Sequence, residues 1–175
     1  MFDLQSAPTL ETERLVLRLP RETDISAYLE FYSDKDAPHF YGGPLSELGT
    51  WNALAKNLGH WALRGYGMWT VVHKDSNEVI GGCGLVAPQG WPRPELTWWI
   101  LPSARKQGFA KEASRATIQF GYEQLGWEIV QTHMNDENKA ARALTLSLGA
   151  KKIAREPFPD GHSRDIFQFP DIRKD

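Results

Sequence analysis

The sequence predicts an α+β fold of layered α/β/α type, held in one domain spanning residues 1–175. Three observations carry this: a hairpin signature near the middle, a strand that runs directly into an amphipathic helix, and a closing pair of strand-like pieces in the tail. At 175 residues, 41% of them hydrophobic, the chain can build a sizeable core without disulfides or metal.

In chain order, Glu13-Arg14-Leu15-Val16-Leu17-Arg18-Leu19 alternates apolar and charged residues, as a strand with one buried face does. Pro20 closes it, and Thr23 or Asp24 is placed to cap a short helix through Tyr28, Leu29 and Tyr32. From Pro44 the pattern turns helical, with Leu48, Trp51, Leu54, Ala55, Leu58 and Ala62 at three- and four-residue intervals, and Gly65 and Gly67 end it. Met68–His73 and Glu78–Leu85 then read as two strands joined by Lys74-Asp75-Ser76-Asn77, a hairpin. A loop with Pro88, Gly90, Pro92 and Pro94 leads to the strand Glu95–Leu101. The helix after Gly108 puts Phe109, Ala113, Ala116 and Phe120 in one row, so it lies on a sheet. Glu128–Met134 is the next strand, a helix follows from Asn138 to Leu148 with Gly149 as its cap, and Lys152–Ala154 and Asp165–Phe169 form the closing antiparallel pair around Pro159-Asp160-Gly161.

Composition narrows the function. The net charge of -2, with both signs interspersed, argues against a nucleic-acid binder. One cysteine excludes an intramolecular disulfide and a multi-cysteine zinc site, and no metal is expected. The start Met1-Phe2-Asp3-Leu4-Gln5-Ser6 lacks signal-peptide character and no run of apolar residues is long enough to span a membrane, so a cytoplasmic location is expected. Cys83, alone on an apolar strand, is expected in the core.

The chemistry concentrates at Leu101-Pro102-Ser103-Ala104-Arg105-Lys106-Gln107-Gly108-Phe109-Ala110. A loop between a strand and a helix N-terminus gathers unpaired N–H groups and the positive end of the helix dipole, which suits a phosphate. Arg105 and Lys106 add charge there.

Four local patterns then agree. Leu10-Glu11-Thr12-Glu13-Arg14-Leu15 opens the chain, Arg105-Lys106-Gln107-Gly108-Phe109-Ala110 fits an Arg/Gln-x-x-Gly-x-Gly/Ala loop, Lys111-Glu112-Ala113 starts the helix, and Asn138 precedes Leu148-Gly149-Ala150. In these residues and in element order the chain resembles the GCN5-related N-acetyltransferases, in the branch of the ribosomal-protein N-terminal acetyltransferases and many small-amine acetyltransferases. The resemblance implies a GNAT-like domain with a mixed, mostly antiparallel twisted sheet splayed between its fourth and fifth strands. It also implies acetyl-CoA as co-substrate, bound by Ile100, Leu101, Arg105, Lys106, Gln107, Gly108, Phe109, Ala110 and Asn138, with the pyrophosphate on the loop. Glu95 stands where the branch often has a glutamate and is the candidate general base. The branch's Asn-x-x-Ser becomes Asn138-Lys139-Ala140-Ala141, so its serine is absent, and Thr145 occupies the position of the tyrosine used elsewhere as acid. Trp51, Trp69, Trp98 and His133 are the candidates for an acceptor pocket.

The expected function is therefore direct acetyl transfer to a primary amine, a protein N-terminus or a small amine, by a monomer or homodimer. The competing expectation is a non-catalytic acyl-CoA-binding or sensing module, which keeps the loop without the acid. A P-loop is disfavoured because Gly108 is followed by Phe109-Ala110 rather than Lys-Ser/Thr.

Overall fold

The structure, a computed structural model, describes residues 3–35, 40–171 and 173. Among the described residues, eight strands form two antiparallel ladders. The first runs β1 (Leu10–Glu11), β2 (Leu15–Arg18), β3 (Met68–His73), β4 (Val79–Val86) and β5 (Glu95–Ile100) in sequence order. The second places β8 (Ser163–Gln168) between β6 (Gln131–Met134) and β7 (Lys151–Pro157). Helices α1 (Ile25–Ser33) and α2 (Glu47–Arg64) pack on one face of the first ladder. The other face carries α3 (Phe109–Glu123), and α4 (Lys139–Ser147) precedes β7. No helix of the described residues is long and apolar enough to cross a membrane.

The break between the ladders lies between β5 and β6, which are the fourth and fifth strands once the two-residue β1 is set aside. At the start of β5 the two strands are tied by side chains: Thr132 Oγ1 donates to the Leu96 carbonyl at 2.8 Å and Gln131 Nε2 to that of Pro94 at 3.2 Å. No ladder joins them, so the strands part toward their C-terminal ends.

The alternation of β2 is kept, with Leu15 and Leu17 wholly buried. It vanishes in β3, where Met68 to Val72 are all buried because helices cover both faces. Trp69 and Val71 join the α3-side core, and Met68 joins the α1/α2-side core with Tyr28, Phe31 and Trp99. Gly82 on β4 is required by this packing, since a Cβ there would lie 2.4 Å from the Trp99 indole nitrogen.

Three local expectations are corrected. The buried row of α2 is Thr50, Ala53, Leu54 and Trp61, whereas Leu48 and Trp51 are exposed. Asn57 Nδ2 donating to the Tyr28 hydroxyl at 3.0 Å and Trp61 Nε1 donating to the Met68 carbonyl at 2.9 Å turn that side inward. The strand expected from Glu128 enters its ladder only at Gln131, and the piece at Lys152–Ala154 is part of the longer β7.

Candidate active site

Beyond the point where β6 leaves, β5 has an open edge. The carbonyls of Leu96, Trp98 and Ile100 are spaced by two residues and so face one side. Each is taken by a side chain rather than by a strand: Leu96 by Thr132, Trp98 by the Tyr41 hydroxyl, and Ile100 by Arg105 Nε at 3.1 Å. In an extended strand the N–H of a residue points with its carbonyl, so the N–H groups of Trp98 and Ile100 face the same gap. The gap is a cleft of about 600 Å³. Trp98, Trp99 and Ile100 wall it on one side, and Asn138, Ala141 and Leu144 on the other.

The loop before α3 closes one end of this cleft. Lys106 (φ 61°) and Gly108 (φ 85°) both adopt the left-handed conformation, which only glycine takes without strain. The first hydrogen bond of α3 runs from Glu112 N to the Gly108 carbonyl at 3.0 Å. The N–H groups of Phe109, Ala110 and Lys111 therefore lack helical partners and sit at the positive end of the dipole. Arg105, Lys106, Gly108, Phe109, Ala110 and Lys111 all line the cleft, an arrangement that fits a phosphate group.

This loop is fixed from a distance. Glu112 Oε1 accepts from the Thr12 hydroxyl at 2.6 Å and from Arg14 N at 2.8 Å, and Oε2 accepts from Arg14 Nε at 2.7 Å. Arg14 Nη1 then donates to the Gln107 carbonyl at 3.0 Å. Burial pushes the Glu112 carboxyl up, but the bonds from Thr12 and Arg14 outweigh it, and its pKa ends below the usual value.

At the start of β5 the cleft continues into a second cavity of about 160 Å³. Trp98, Asn138 and Ala141 line both. Glu95 and His133 face each other across the smaller one, with Glu95 Oε2 and His133 Nε2 3.2 Å apart but out of hydrogen-bond alignment. Burial pushes the Glu95 carboxyl up to about 8, against the opposing pull of Arg164 and Lys56. Burial likewise pushes the His133 imidazole down to about 4, helped by the positive charge of Arg164. Near neutrality the pair thus holds one proton, on the carboxyl. Phe158 packs on His133 at 4.3 Å between ring centres, and Trp91 packs on Phe158 at 5.4 Å.

The site residues expected from sequence divide accordingly. Glu95, Trp98, His133 and Asn138 meet around the smaller cavity, and Ile100, Arg105, Lys106, Gly108, Phe109 and Ala110 line the larger. Asn138 also caps α4, its Oδ1 accepting from Ala141 N at 3.1 Å. The rest are placed elsewhere. Thr145 is wholly buried on α4, its hydroxyl without a partner among the described residues, and lines neither cavity. Trp69 is core, with its indole N–H on the Pro8 carbonyl, and Trp51 is half exposed on the outer side of α2. Leu101 is buried in the α1/α2-side core. Gln107 contributes its carbonyl to Arg14 and its side chain to Ser103, outside the cleft wall. Tyr41, Trp91, Asn135 and Arg164 line the smaller cavity unforeseen, since each comes from a loop or tail segment whose local pattern gives no sign of the fold around it. Cys83 is in the core, its thiol pushed up to about 11 by burial.

Residues 14–151 match the family model of the acetyltransferase (GNAT) domain. A relative from Bacillus subtilis (strain 168), named uncharacterized N-acetyltransferase YoaA, is 29% identical over 154 residues, covering 83% of this chain and 84% of that one. Among solved structures, an acetyltransferase from Agrobacterium tumefaciens str. C58 superposes with a TM-score of 0.85 at 26% identity, covering 94% of this chain and 95% of the other. The RimL ribosomal L7/L12 alpha-N-protein acetyltransferase in complex with coenzyme A shares the fold, with a TM-score of 0.71 at 16% identity over 92% of this chain and 97% of that one.

Proposed function

Because the chain belongs to the GNAT acetyltransferase family, an acyltransferase family, we propose that it transfers the acetyl group of acetyl-CoA to a primary amine by direct attack in a ternary complex. The observation that carries this reading is Glu95, half-buried beside a small cavity that opens at Trp98 and Asn138 into a larger, loop-headed cleft. The two spaces suit an acceptor and a coenzyme respectively. The loop N–H groups of Phe109, Ala110 and Lys111 would take the pyrophosphate with Arg105 and Lys106, and the free N–H groups of Trp98 and Ile100 would take amides of the pantetheine arm.

Acetyl-CoA would supply an activated carbonyl with a thiolate leaving group. The residues of the chain have the amine to manage. An alkylammonium ion must lose a proton before it can attack, and a carboxylate whose conjugate acid has a pKa of about 8 is a far better match for that proton than an ordinary glutamate. Glu95 accepts that proton first; the free amine then forms the C–N bond, and as the C–S bond breaks the nitrogen's second proton passes to water. His133, kept neutral, adds no opposing positive charge to the docking ammonium. Neither Ala141, in the place of the branch's serine, nor the buried Thr145 offers the thiolate a proton, and water is left to provide it.

Thiol release from acetyl-CoA over a panel of amines and peptide N-termini tests the reading. Turnover is expected to rise with pH through an apparent pKa near 8, and Glu95→Gln to lower kcat by about 10²–10³ with acetyl-CoA affinity unchanged. The absent serine favours one rival, a binding module without turnover. Coenzyme A binding with no amine acetylated would establish that rival instead.

A further inference from the structure

The smaller cavity carries more chemistry than a general base requires. At about 160 Å³ it is close to the size of hole that admits a benzene ring, so roughly six non-hydrogen atoms fill its interior. Glu95 stands on its wall as the proton acceptor. Trp91 and Arg164, also on its wall, are donors with capacity to spare. The Trp91 indole N–H is shut off from solvent and has no partner among the described residues. Arg164 is only 7% exposed. Asp160 takes one N–H from each of its terminal nitrogens, at 3.0 and 2.5 Å, which leaves three of the five donors of a guanidinium. The Arg164 head is held in place over the Phe158 ring at 4.6 Å and near the Trp91 ring at 5.5 Å. Its charge acts on both Glu95 and His133, so it stands close to where an amine meets its base.

A buried N–H without an acceptor is rare in a finished structure, and both residues border a space sized for a small group. An oxygen-bearing group on the ligand satisfies them. A planar guanidinium with paired donors selects a carboxylate over a single carbonyl oxygen, because only the carboxylate offers two acceptors in the matching plane. Resting on the acetyltransferase reading above, we propose that the acceptor is a small amino-carboxylate: its amine docks at Glu95, and its carboxylate is held by Arg164 and the Trp91 indole N–H.

A matched trio tests this: L-alanine, L-alaninamide and ethylamine, each assayed by thiol release from acetyl-CoA and corrected for its free-base fraction. L-alanine is expected to exceed both others in kcat/KM by roughly 10- to 100-fold, the range for a hydrogen bond to a charged group. Arg164→Gln is expected to erase that preference, lowering kcat/KM for L-alanine at least tenfold more than for ethylamine. Trp91→Phe, which keeps the ring and removes the N–H, is expected to reduce the preference severalfold. Asp160→Asn frees the cation from its partner and is expected to lower the KM for L-alanine, a gain that a merely structural role for Arg164 would not produce. Equal rates for the trio, a preference for the amide, or an equal loss on all three acceptors in Arg164→Gln and Trp91→Phe would overturn the assignment, and the amide preference would point to peptide N-termini. Those outcomes leave acetyl transfer standing. Absence of turnover with every amine, despite coenzyme A binding, is the separate result that removes the reading beneath it.

Discussion

Thr145 holds a position where sequence comparison looks for a proton donor, yet its side chain is sealed in the protein with an unpartnered hydroxyl. A buried hydroxyl without a hydrogen bond costs stability, and Val has nearly its shape without the polar atom. Thr145→Val is therefore expected to leave kcat and KM unchanged and to melt no lower than the parent, within about 1 kcal/mol or above it. A drop in kcat with KM unchanged would return the residue to the chemistry. Glu95 contrasts with it. Its place at the head of a strand was legible from sequence, but its altered proton affinity was not, because burial is supplied by segments remote in the chain. His133 was legible as a strand residue, and its pairing with Glu95 follows only from how β6 is set against β5.

At the level of elements, the strand–loop–helix unit from Glu95 to Glu123 was readable nearly to the residue, since periodicity and a left-handed glycine mark its parts locally. The clamp that holds the loop was not. Arg14 and Glu112 are 98 positions apart, and nothing in either neighbourhood points to the other. Glu112→Ala removes three accepted bonds from a carboxylate that is 18% exposed, and a loss of about 2 kcal/mol is expected in denaturant unfolding. Because the same arginine holds the Gln107 carbonyl, the Kd for coenzyme A is expected to rise about tenfold. Unchanged coenzyme affinity in a destabilised variant would separate the clamp from the loop. The α2 helix failed in a different way: apolar residues fill two of its sides, so periodicity alone chose Leu48 and Trp51 while tertiary contacts bury Ala53 and Trp61.

Across the whole molecule, seven of the eight described strands followed from pattern, the two-residue β1 being too short to show a period, whereas the smaller cavity is assembled from Tyr41, Trp91, Glu95, His133 and Arg164, contributed by five separate segments. The Glu95–His133 pair also shapes stability. Unfolded, the two groups titrate near 4.5 and 6.5; folded, near 8 and 4. Between pH 4.5 and 6.5 both states hold one proton on the pair, and its contribution is flat. Above pH 6.5 the unfolded chain has lost a proton that folded Glu95 still keeps, so stability falls as pH rises to 8, by up to about 2 kcal/mol. Below pH 4.5 the unfolded chain holds two protons against one, and stability falls again. Melting curves across this range are expected to show the plateau, and Glu95→Gln to remove its alkaline shoulder; a shoulder that persists in that variant would exclude Glu95 as its source. The open edge of β5 has its own consequence at this scale. An unpaired strand edge invites another chain to add to the sheet. Here Thr132, Tyr41 and Arg105 occupy the three outward carbonyls and leave only alternate N–H groups. A β-strand needs both kinds of group to zip on, whereas a slender ligand bringing amide carbonyls needs the N–H groups alone, so the same edge that admits such a ligand resists self-association into fibres.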